Sequence, residues 1–124
     1  MSYLLDFHDK GFFVSMTSVI TLDDIDRSNG DLHGHRDFDH HRFQLWDLSK
    51  ADFSPISESD ILEAAATDFV ASKTRYMVKV GFIVLDDHVK TICSAYISQS
   101  LAMGSPWQFE IFDDPDVARK WAVA

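Results

Sequence analysis

One cysteine, three prolines and five glycines are all that the chain holds of the residues that staple, break or loosen a backbone. A single thiol, Cys93, excludes an internal disulfide, and it reads as a buried core thiol rather than a nucleophile. Long apolar runs are missing too. The longest, Val80 to Leu85, falls far short of the roughly 20 residues that a bilayer-crossing helix needs. Positive charge is scarce: eleven Lys and Arg against twenty Asp and Glu give a formal charge of −9. Such a surface repels phosphate backbones and anionic headgroups, so neither nucleic acid nor a membrane is expected as a partner. The first residues, "MSYLLDFHDKG", have neither the basic start nor the small-residue cleavage site of a secretory signal, and a cytoplasmic location is the expectation.

What is present is material for a core. The 124 residues are 46% hydrophobic and 13% aromatic, with ten Phe and three Trp. That suits one folded domain over residues 1–124, and the chain shows no repeat, low-complexity tract or linker to divide it. Tyr3 to Phe7 and Phe12 to Ile20 flank Asp9-Lys10-Gly11, where glycine can supply the positive φ of a tight reversal, and a β-hairpin follows. Thr21 and Asp24 have capping-box spacing ahead of a short polar helix from about Leu22 to Leu32. Phe43 to Leu48 reads as a strand, closed by the breakers of "SKADFSP".

Ser57 and Ser59 are both helix-cap residues in front of Ile61, Leu62, Ala65, Ala66, Phe69 and Val70, which recur at one-and-four spacing. Met77 to Leu85 is nearly continuous in apolar residues, as in a strand covered on both faces. Val78, Val80, Phe82 and Val84 are therefore expected in a central strand with parallel neighbours. Asp87 caps a helix with the face Val89, Ile92, Cys93, Tyr96 and Ile97, ended by Gly104 and Pro106. A strand from Trp107 to Phe112 comes next. Asp114 and Pro115 then open a last helix with Val117, Ala118, Trp121 and Ala122 as its buried stripe.

The predicted order is β-β-α-β-α-β-α-β-α, an α/β domain. Right-handed crossovers make strands two to five parallel and leave strand one antiparallel, a five-stranded mixed sheet with four helices to share between its faces.

This order resembles the STAS domain of anti-sigma-factor antagonists, the SpoIIAA-like fold, over nearly the whole chain. "RDFDHHRFQLWDLS" at 36–49 and "SPWQFEIFDDPDVARKW" at 105–121 look like a group of small bacterial STAS-like proteins. The resemblance implies a non-enzymatic protein acting through a protein partner, with a regulatory role. A homodimer is open to it, and no cofactor is implied. In the anti-sigma-factor antagonists, partner switching depends on a Ser or Thr opening the helix after the third strand, in a pattern close to Asp-Ser-x-Gly. Here that region is "SPISESDI", with no glycine and no acidic residue directly before Ser57. Ser57 and Ser59 are the candidate phosphoacceptors, with the helix-cap reading preferred.

The nine residues "HGHRDFDHH" at 33–41 carry four of the six histidines. His33 and His35 are two apart and His40 and His41 adjacent, so neither pair projects to one side of a regular element, and no metal site is expected. The segment is expected to be an exposed polar connection. Arg36 and Arg42 read as surface groups facing neighbouring carboxylates, with anchoring of the loop or of an anionic ligand as the alternative. Trp46, Trp107 and Trp121 read as core. Asp47, Glu63 and Glu110 have no partner that would make a catalytic pair, so no catalytic residue is named. The second functional reading is a carrier of a small apolar or weakly anionic ligand held between helices and sheet, which needs a cavity of several hundred Å³.

Overall fold

The computed structural model describes residues 2–75 and 77–124. Its elements are β1 (Tyr3–His8), β2 (Gly11–Val19), α1 (Leu22–His33), a 3-10 turn (Phe38–His40), β3 (Phe43–Asp52), α2 (Glu58–Ser72), β4 (Lys79–Ile83), α3 (Asp87–Ala102), β5 (Gln108–Phe112) and α4 (Pro115–Val123). The five strands form one sheet in the order β1-β2-β3-β4-β5. β1 is antiparallel to β2 and every other pair is parallel, as the sequence predicts. β4 lies between two parallel neighbours; it holds Val80 and Phe82, while Val78 and Val84, expected in the strand, flank its ends, and all four are buried.

Strands laid side by side in chain order have a consequence for the helices. Three right-handed crossovers stepping in one direction must place α1, α2 and α3 on the same face. The opposite face keeps only α4, which packs on β3, β4 and β5. The four helices are thus divided three to one. The large core under α1 to α3 takes Phe12, Val14, Met16, Trp46, Leu48, Val80 and Phe82 from alternate strand positions. The smaller one under α4 takes Phe43, Leu45 and Ile83.

Several local expectations shift. The hairpin turns on Asp9 and Lys10, both at positive φ (53° and 65°), while Gly11 is already the first residue of β2. A two-residue turn of that hand matches the strand twist. Gly11 is required for another reason: a Cβ there would overlap the Phe43 ring, its neighbour on β3. β3 runs on to Asp52 through the residues read as breakers, because Lys50, Ala51 and Asp52 pair with Thr17, Ser18 and Val19 beyond a register shift. Asp86, not Asp87, caps α3, its carboxylate accepting from Val89 N. The α2 stripe is also rotated: Ile61, Ala64, Ala65, Asp68 and Ser72 are buried, whereas Leu62 and Val70 are 39% and 67% exposed.

Candidate functional site

Burying Asp68 on α2 brings a carboxylate among side chains from the other two helices of that face. The Tyr96 hydroxyl, on α3, donates to Asp68 Oδ2. His33 Nε2, at the end of α1, lies 3.0 Å from Oδ1. The ring N–H is not aimed at that oxygen, which has no well-directed donor. Burial pushes the Tyr96 phenol well above 10, and the Asp68 charge adds to the shift. The Cys93 thiol, one turn before Tyr96 on α3, is pushed up to about 12 by burial alone. At neutral pH both stay protonated, so neither is a nucleophile.

These groups border a cavity of about 50 Å³ whose walls include Trp46, Phe53, Phe82, Asp68, Cys93 and Tyr96. That is room for a few waters, against the 300 Å³ or more of ordinary ligand sites.

A second buried polar chain runs beside it. Trp46 Nε1 donates to Gln44 Oε1 at 3.1 Å, and Gln44 Nε2 meets His41 Nε2 at 3.2 Å. His41 Nδ1 meets the Phe38 carbonyl. A carbonyl only accepts, so Nδ1 carries the proton and Nε2 is left to accept from the amide. The order of donors holds His41 neutral. Burial lowers its pKa to about 4, the Phe38 carbonyl working against the shift and the Arg75 charge with it. This histidine is fully buried. The segment 33–41 is therefore not an exposed connection as a whole: Phe38 and His41 are core, His33 and His35 are half-buried, and His40 is exposed. His33 lies by Asp68, His35 by Asp37 and His41 by Phe38 and Gln44, and among the described residues no three His, Cys, Asp or Glu side chains gather as a metal-holding group.

The two arginines separate. Arg36 is 91% exposed beside Asp37. Arg42, at the start of β3, is exposed on a pocket of about 380 Å³ together with Lys10, Arg75 and Lys79. Sequence spacing could not have found that grouping, because it joins four separate segments. Asp47 accepts from Ser49 on β3, Glu63 is exposed on α2 and Glu110 is exposed on β5, and no two of them come together. Trp46 and Trp107 are buried, and Trp121 is half-buried against Phe112.

Ser57 caps α2. Its Oγ accepts from Asp60 N at 3.2 Å, and the Asp60 carboxylate accepts from Ser57 N at 3.0 Å. That backbone donor, with the Ser57 hydroxyl, holds the Asp60 carboxyl below its usual range. Ser59 makes only a 3.0 Å contact with Ser57 Oγ. Ser57→Ala should cost about 1 kcal/mol in chemical denaturation, Ser57→Asp should be nearly neutral and Ser59→Ala should be silent. Equal losses at both positions would show that the cap is shared.

A mixed sheet in chain order, with three crossover helices on one face and a C-terminal helix on the other, is a SpoIIAA-like α/β fold. Neither a protein-family model nor a curated protein matches the chain. Among solved structures, it is similar to an uncharacterised protein of the DUF3478 family with a SpoIIAA-like fold from Shewanella loihica PV-4. The TM-score is 0.58 at 14% identity, over 97% of this chain and 91% of that one. At that identity the likeness is one of fold. No helix among the described residues is long and apolar enough to cross a membrane.

Proposed function

We propose that the protein is a non-enzymatic binding module that works by docking a protein partner on the outer face of α2, in a regulatory role. The observation that carries this is the rotation of α2. Leu62, Ala66 and Val70 sit at i, i+4 and i+8, one exposed apolar line on a helix of an acidic domain, with the exposed Ser57 and Ser59 at its start. An exposed apolar line of this kind is what a partner's groove or helix would cover.

Two further features support the reading over its rivals. The cavity beside Trp46 and Tyr96 is several-fold too small for the ligand carrier considered from the sequence. The Asp68 carboxylate and the Tyr96 phenol line a space that admits no substrate of ordinary size, which argues against an enzyme.

The test is affinity capture from the native host by wild type and by Leu62→Lys/Val70→Lys. Both positions are exposed, so the double variant should fold with unchanged stability. A partner held by wild type and lost from the variant supports the reading. A partner bound equally by both, or turnover of a substrate by the isolated protein, sinks it.

A further inference from the structure

In a chain with a formal charge of −9, four of the eleven Lys and Arg line one pocket of about 380 Å³. It opens where β3, β4 and β5 begin, opposite the end of the sheet from which the strands lead into their helices. Lys10 comes from the β1–β2 turn, Arg42 from the residue before β3, Arg75 from the α2–β4 connection and Lys79 from the first residue of β4.

Their partners divide the work. Lys79 Nζ is committed to the fold, donating to the Trp121 and Ala124 carbonyls at 2.9 and 3.0 Å at the end of α4. Arg75 is fixed at both ends. Its Nε donates to the His41 carbonyl at 2.8 Å, and its own carbonyl accepts from Trp107 Nε1 at 2.6 Å. Neither of its Nη groups has a protein acceptor among the described residues. Lys10 and Arg42 make no ion pair there either. The one acidic side chain on the wall among the described residues, Asp9, sits beside His8 at 3.3 Å and Arg119 at 3.8 Å. Like charges gathered without counter-charges raise one another's energy, and an anion relieves that cost. A fixed guanidinium with free Nη groups is the donor best suited to a forked oxyanion contact. The rim is apolar, with Met77 80% and Val123 60% exposed, and Pro106 also lines the pocket.

We infer that this pocket binds a small organic oxyanion, a phosphate or carboxylate on a short apolar body, with Arg42, Lys10 and Arg75 on the charge and the Met77–Pro106–Val123 rim on the body. It is separate from the α2 face and does not depend on partner docking there.

Phenyl phosphate and inorganic phosphate are the probes, titrated into the full chain by calorimetry at low ionic strength, with Arg42→Gln, Lys10→Gln and the distant Arg36→Gln. Lys10 and Arg42 are exposed, so circular dichroism should show all three folded. Saturable binding of phenyl phosphate is expected, weakened about tenfold by R42Q and by K10Q and unchanged by R36Q. Inorganic phosphate should bind about tenfold more weakly than phenyl phosphate, for want of the apolar body. Absence of saturable binding, or equal affinity in R42Q, K10Q and R36Q, overturns the site. Equal affinity for the two probes overturns the role given to the rim.

Discussion

Acidification from pH 7 to pH 4 is expected to cost the fold about 3 kcal/mol through His41 alone. In the unfolded chain an imidazole titrates near pH 6.5, and in the fold His41 stays neutral down to about 4. Above pH 6.5 it is neutral in both states and its full contribution to stability is present. Between pH 6.5 and 4 the unfolded chain takes up a proton that the folded one refuses, and stability falls by up to about 1.4 kcal/mol per pH unit. Burial is the main cause, and the donor order from Trp46 through Gln44 acts in the same direction. A second proton on His41 would face the Gln44 amide N–H, and turning that amide over would strip the Trp46 indole of its acceptor. Urea unfolding of wild type between pH 7 and 5, above most carboxylate titrations, measures the slope. A flat profile there would show that His41 is not held neutral. His41→Leu should remove the slope. It should also cost about 3 kcal/mol at pH 7, because the buried Gln44 amide and Phe38 carbonyl lose their partners.

The sequence discloses the order of elements because strands and helices differ in the period of their apolar residues. Met77 to Leu85 and the Val89-to-Ile97 face carry that signal clearly. It fails where a polar side chain is buried or an apolar one is not. On α2, apolar residues occur almost all round the helix, so Ile61 with Leu62, Ala66 and Val70 fits helical spacing as well as Ile61 with Ala64, Ala65, Asp68 and Ser72 does. Only the neighbouring helices decide, by supplying Tyr96 and His33 for Asp68. Extending the Ile61–Ala65 spacing by one turn lands on Asp68, and a carboxylate on an apolar stripe was the available signal. His41 had no such signal, since His40 beside it is exposed and the two differ only in the turn that separates them. The grouping of Arg42 with Lys10, Arg75 and Lys79 is a product of the sheet order, which local periodicity does not encode. The three-to-one division of helices does follow from handedness once the strands are known to lie in chain order.

Tyr96→Phe should be among the most damaging single-atom deletions, at about 3 kcal/mol. It leaves the Asp68 carboxylate buried with no hydroxyl donor and only a poorly aimed His33 N–H at 3.0 Å. Asp68→Leu should cost a comparable amount, because the Tyr96 phenol loses its acceptor in a buried site. The double variant Asp68→Leu/Tyr96→Phe removes both polar partners together, and a buried pair exchanged for apolar groups of like size is often neutral. Its stability should lie within about 1 kcal/mol of wild type, giving a coupling of several kcal/mol in a double-mutant cycle by chemical denaturation. Additive losses would show that the phenol and the carboxylate do not serve each other, and that water satisfies each separately. The double variant also bears on function. If it folds and still captures the partner proposed for Leu62 and Val70, the Tyr96–Asp68–His33 group acts by fixing how α1, α2 and α3 pack. If it folds and capture fails, the packing of α2 against α3 sets the shape of the docking face, because Asp68 lies on the buried side of the helix that carries Leu62 and Val70 outward.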